Sequence, residues 1–183
     1  MDIATLLTSI QASGLASWIR ASLYAFPLIE SFHVIGLAMV FGTIAIVDLR
    51  LLGLAWGKRP FSRVAQDIMK WTWVAFALTV TTGLLMFITN ATVYFHNFQF
   101  RSKMVLIALA GINMLVFELR TGRTRHQWDN NMAAPASGKL AAVLSLLLWI
   151  SVIFMGRWIG FTTTRAITPP DTEIEINLDD LFR

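Results

Sequence analysis

The stretch "YAFPLIESFHVIGLAMVFGTIAIV", Tyr24 to Val47, is long and apolar enough to cross a bilayer, yet it carries Glu30, Ser31 and His33 within it. About 20 apolar residues in a helix span roughly 30 Å of hydrocarbon. A charged side chain at the centre of such a span costs about 2–3 kcal/mol or more, so a carboxylate and an imidazole there need partners or a purpose.

Outward from this stretch, three further segments have the same character: Ile68 to Ile88, Phe100 to Phe117 and Leu140 to Phe161. In the shortest, the third, Arg101 and Lys103 are expected near the headgroups, where their stems can snorkel outward. The composition agrees. The 183 residues are 56% hydrophobic and 14% charged, where a soluble domain would be about a quarter charged. Seven Trp and 13 Phe, several at the ends of apolar runs, fit aromatic belts at the membrane surface. With no Cys, disulfides, thiolate metal sites and Cys nucleophiles are excluded together, and any metal must use His, Met or carboxylate ligands. The net charge of +4 does not point to nucleic acid, because the basic residues flank apolar runs.

Those flanks set a direction. Arg50, Lys58, Arg59, Arg63 and Lys70 follow the first span and Arg120, Arg123 and Arg125 follow the third, whereas "NATVYFHNFQF" between the second and third has no Lys or Arg. The positive-inside rule places the two basic connections, after the first and third spans, in the cytoplasm. Both termini and the His96 connection then face outward, in a bacterium into the periplasm, and the bilayer is the inner membrane. Short connections predict an all-α, up-down four-helix bundle over residues 23–162. Ala38 and Gly42 form a small-xxx-small pair suited to close helix approach. No internal repeat supports an inverted-repeat transporter.

Residues 1–22 lack the basic start and compact apolar core of a cleavable signal peptide. Ile3, Leu6, Leu7, Ile10, Gly14 and Trp18 recur at helical spacing, which predicts an amphipathic helix on the membrane surface. Residues 163–183 form a periplasmic acidic tail, in which Pro169 and Pro170 precede an alternation from Glu173 to Leu178. That pattern suits an extended strand which a protein partner could take up, with a solvated tail as the alternative.

At about 1.5 Å per residue, Glu30, His33 and Arg157 fall at comparable depth in the outer leaflet, with Thr82, Met86, Lys103, Met104 and Met155 in the same layer. Glu30 stands one turn from His33 on one helical face. A cofactor site built on His33 is one reading; a structural Glu30–Arg157 ion pair is the other. His33 with Met86, Met104 and Met155 suits Cu(I), since thioethers and imidazole are soft donors. One haem b with His33 and an axial Met, or with His96, is also possible, whereas stacked bis-His haems are excluded because His33 is alone within the spans. A di-iron site would need a second Glu-x-x-His and further carboxylates at that depth.

At the cytoplasmic end Asp48 and Arg50 face Glu118 and Arg120, and cross-pairing would tie that end together. Asn113, mid-span, is expected to bond across to another helix. No nucleophile with an adjacent base, phosphate loop or HExxH motif occurs, which argues against an autonomous enzyme.

The segments "AFPLIESFHVIGLAMVFGTIAIVDLRLLG", "FRSKMVLIALAGINMLVF" and "GKLAAVLSLLLWISVIFMGRWIGF" resemble an uncharacterised family of bacterial four-span inner-membrane proteins over most of residues 15–162. More distantly, the His of the first span, and the Lys followed by a Leu-rich helix with an Asn, resemble CopD-type copper-resistance membrane domains. Such domains are longer and often carry a His near the end of the third span, where this chain has Glu118. The resemblance implies four spans and an interest in His33.

Two functions follow as expectations. The first is a non-enzymatic membrane module binding copper or a single haem, with His33 as ligand, Glu30 as its orienting or charge-balancing group and Arg157 as counter-charge. The second is an anchoring subunit of a larger redox or transport complex, docked through the N-terminal helix or the tail.

Overall fold

In a computed structural model, described over residues 2–55, 60–120, 122–124, 128–129 and 134–167, the chain is all helical. Two short helices, α1 (Ile3–Gln11) and α2 (Gly14–Ala21), precede the long α3 (Ala25–Leu52) and α4 (Phe61–Thr89). A one-turn-and-a-half α5 (Ala91–His96) leads into α6 (Phe98–Arg120), and α7 (Ala136–Ile167) completes the described chain. The four long helices are long and apolar enough to cross a membrane. They run a few residues beyond the expected spans at most ends, because interfacial polar residues continue a helix that apolar ones begin.

The helices pack in pairs, α3 against α4 and α6 against α7, and α3 against α7 joins the pairs. Apolar side chains such as Phe32, Val74, Leu84, Ile112 and Leu147 stay exposed along the outside. In water such a surface would aggregate. Around it a bilayer is the solvent that fits, and the chain is a multi-pass membrane protein.

The end of the bundle where α3 stops and α4 begins has its own core. Leu51, Phe61, Ala65, Ala134 and Ala142 are buried together, with Phe117 and Trp128 edge-on and tilted against Phe61. Gly53, at φ 78°, ends α3: its N–H bonds Arg50 O at 3.1 Å and the Leu54 N–H bonds Leu49 O at 3.0 Å, a Schellman arrangement that needs a left-handed residue. Asp129 then caps α4 through the N–H and hydroxyl of Ser62. Asp48 is not matched to Arg120 as expected. It is 6% exposed, bonds Ser145 of α7, and leaves Oδ2 with no hydrogen-bond partner.

At the other end the N-terminal segment is two helices rather than one, because the Ser13 hydroxyl caps α2 by accepting from the Ala16 N–H. Leu7, Ala16 and Ile19 bury themselves, while Ile3, Leu6, Leu15 and Trp18 face outward. Arg20 donates to Thr89 O at 2.7 Å and Gln11 accepts from the Thr92 hydroxyl at 2.7 Å, so both helices fold across the α4–α5 corner. Phe87, Tyr94 and Phe100 pack in one aromatic group there, and Asn97 caps α6 and reaches Thr162 of α7 at 2.9 Å. Midway, Asn113 donates to Ala141 O at 2.9 Å, the expected bond between helices. Helix α7 runs past residue 162 to Ile167, and the acidic tail expected to be extended lies outside the described residues.

Candidate functional site

The polar layer expected from the sequence divides in two. His33 turns from α3 towards α4, where its Nδ1 lies 3.0 Å from Thr79 O and 3.1 Å from Thr82 Oγ1. A carbonyl oxygen only accepts, so Nδ1 carries the proton. The Thr82 hydroxyl already donates to Leu78 O at 2.7 Å and can accept from the same N–H. This leaves Nε2 of a neutral ring with a free lone pair.

Two glycines let the helices approach at this level. A Cβ on Gly83 would lie 3.1 Å from His33 Cε1, and one on Gly36 only 2.6 Å from Thr79 Oγ1. The small residues that matter are thus Gly36 and Gly83. Gly42, named with Ala38 as a packing pair, has open space around its Cα, because it lies off the face that Gly36 and the buried Val40 present to α4. The backbone carbonyl of Thr79 orients His33 because the Gly36 contact brings α4 this close.

Lys103 departs from expectation. Arg101 is exposed, but Lys103 turns into the bundle, its Nζ 3.7 Å from where a Gly156 Cβ would stand, and its charge acts on His33. Among the described residues Lys103 makes no ion pair. The sequence placed Lys103 in the right layer, and the missed clue was Gly156: opposite a small residue a lysine stem has room inside.

Glu30 and Arg157 do not join His33. Both are exposed and line an open cleft of about 440 Å³ with Pro27, Ser31, Val34 and Ile35, between α3 and α7. No direct ion pair links them. The structural pair expected between them is therefore replaced by a gap. Burial, and after it the Glu30 carboxylate, holds the Tyr94 hydroxyl above its usual range, which places Glu30 near α5. His96 is exposed on α5, its Nδ1 on Thr92 O at 2.9 Å and its ring against Phe95. Met86 and Met155 are half-buried, while Met104 is 42% exposed on the outside of α6. Among the described residues no three His, Asp or Glu side chains gather as a metal cluster, so any metal here would rest on one imidazole and softer donors.

Residues 13–162, from the cap of α2 to the later part of α7, match the pattern of a family of unknown function, DUF6644. The chain belongs to DUF6644. The family's extent covers the whole bundle, including His33, Lys103 and both sides of the Glu30–Arg157 cleft, so each of these sits within the shared region. No curated protein and no solved structure matches the chain.

Proposed function

We propose that this DUF6644 protein is a non-enzymatic inner-membrane module that binds a metal centre through His33 Nε2 at the periplasmic end of its bundle. The observation that carries the reading is the Nδ1–H bond from His33 to Thr79 O. Metal-ligating imidazoles characteristically give their other N–H to a backbone carbonyl, which fixes the tautomer and the ring plane. The Lys103 ammonium beside the ring narrows the choice. It disfavours a bare dication and leaves a soft monocation, Cu(I), or a metal that brings its own negative charge, haem b with its propionates. Close packing of α3 on α4 at Gly36 and Gly83 favours a small ion over a macrocycle on that side of the ring. Met86 and Met155, half-buried on α4 and α7, are the thioethers suited to complete its coordination. The distant likeness of the first span to CopD-type domains supports the same choice, and the lysine and arginine distribution supports the orientation.

The test is an absorption spectrum with elemental analysis on the detergent-purified protein, wild type beside His33→Ala. Stoichiometric copper, or a Soret band, lost in His33→Ala is the expected result. A colourless, metal-free wild type after loading with Cu(I) and with haem would overturn the proposal, leaving an anchoring subunit of a larger complex as the account to pursue.

A further inference from the structure

Glu30 and Arg157 are set apart from His33 in a cleft that has chemistry of its own. A carboxylate and a guanidinium, both exposed and without a direct ion pair, stand on its two sides, Glu30 on α3 and Arg157 on α7. Facing lipid, each is costly unless something polar of opposite charge fills the space. Glu30 is the sixth residue of α3, and Arg157 stands four residues before Phe161, the last apolar residue of the α7 span, so each lies about 6–8 Å from the end of its apolar stretch. A residue that close to the end of an apolar span lies towards the phosphate and glycerol level of the bilayer. Phe154 and Trp158, packed against each other at 5.2 Å and exposed beside Arg157, are the aromatic residues such a level collects. One turn deeper the wall becomes apolar at Val34 and Ile35. The Ser31 hydroxyl donates to Pro27 O at 2.8 Å, so towards the cleft it can only accept.

We propose that this cleft binds the headgroup of a phosphatidylethanolamine-type lipid, its phosphodiester on Arg157, its primary ammonium on Glu30 and its glycerol end on Val34 and Ile35. The charge order of the walls matches that zwitterion. A phosphatidylglycerol headgroup lacks the cation and sets its phosphate against Glu30. A phosphatidylcholine headgroup has a cation without N–H bonds for the carboxylate to accept, and so loses the charge-assisted hydrogen bonds that a primary ammonium makes. The cleft is open, and its volume of about 440 Å³ is enough to admit a lipid headgroup.

Native mass spectrometry of the detergent-purified full chain, offered equal amounts of phosphatidylethanolamine, phosphatidylcholine and phosphatidylglycerol, tests this. The wild type should retain phosphatidylethanolamine at least fivefold over the other two. Glu30→Gln should erase the preference over phosphatidylcholine and raise phosphatidylglycerol retention. Arg157→Gln should lose all three, while Arg157→Lys keeps the wild-type order and shows that the site, not the fold, has changed. His33→Ala should leave the lipid order as in the wild type, which separates this cleft from the metal site. Equal retention of the three lipids by the wild type, a preference that survives both glutamine variants, or a lipid-free dimer would overturn the proposal.

Discussion

His33 and Lys103 are the residues whose neighbours change what they can do. Alone in a span, an imidazole is ambiguous between helix glue and ligand; held through Nδ1 by Thr79 O, it presents one free nitrogen. For the proposed centre, Lys103 separates copper from haem. Lys103→Met should tighten Cu(I) at least about tenfold, because it removes a like charge from a poorly solvated site, and should weaken haem by removing a propionate partner. Competition against a Cu(I) chelator and a haem titration would measure both, and an unchanged affinity in each would show that the ammonium does not sense the ligand. At the end where α3 stops and α4 begins, Asp48 depends on Ser145, since its other oxygen has no hydrogen bond. Ser145→Ala should lower stability by about 1–3 kcal/mol, the cost of orphaning a buried polar group, seen as a lower unfolding temperature in detergent. Asp48→Asn keeps the bond to Ser145 while removing a buried charge, and should cost less.

Among the helices, the contact of α3 with α4 is where glycine decides geometry. Gly36→Ala puts a methyl 2.6 Å from Thr79 Oγ1 and 3.3 Å from its backbone nitrogen, so the helices must separate and the His33 bond to Thr79 lengthens. A loss of about 1–3 kcal/mol is expected, together with weaker binding of the proposed metal. Gly83→Ala meets only the His33 ring, at 3.1 Å. It should leave the unfolding temperature nearly unchanged while lowering affinity for the proposed metal. Gly42→Ala, with nothing within 4 Å, should change neither, and a Gly42 variant as damaging as Gly36→Ala would mean that the pairing of helices has been misassigned. The two N-terminal helices are separate because of a cap. Ser13→Ala should cost about 1 kcal/mol locally and fray α2, read out as faster hydrogen exchange at Gly14 to Ala21.

For the whole molecule, the N-terminal helices and the bundle are tied by few polar bonds. Arg20→Ala removes the donor to Thr89 O and should release α1 and α2 from the α4–α5 corner, exposing them to protease while the four spans stay intact. The proposed orientation has an equally direct check, because the chain has no native Cys. Cysteine placed at His96 should react with a membrane-impermeant maleimide on intact spheroplasts, and cysteine placed at Arg123 only after lysis. The reverse pattern would invert the proposal and put the His33 centre on the cytoplasmic side.

The four spans were legible because lipid makes a local demand: any segment that crosses must be apolar for about 20 residues and close its own backbone bonds, and both requirements are written in consecutive residues. Depth was legible for the same reason, since a fixed rise per residue converts position into height, and His33, Thr82 and Lys103 do meet at one level. Direction around the helix axis was not. Whether Glu30 shares a site with His33, whether Lys103 snorkels or turns inward, and whether Gly36 or Gly42 meets a neighbour depend on how each helix is rotated. In lipid the outward face and the packing face are both apolar, so hydrophobic periodicity leaves that rotation undetermined. Only contact between helices decided it, through a glycine that admits a threonine, a carbonyl that fixes an imidazole and a second glycine that makes room for a lysine.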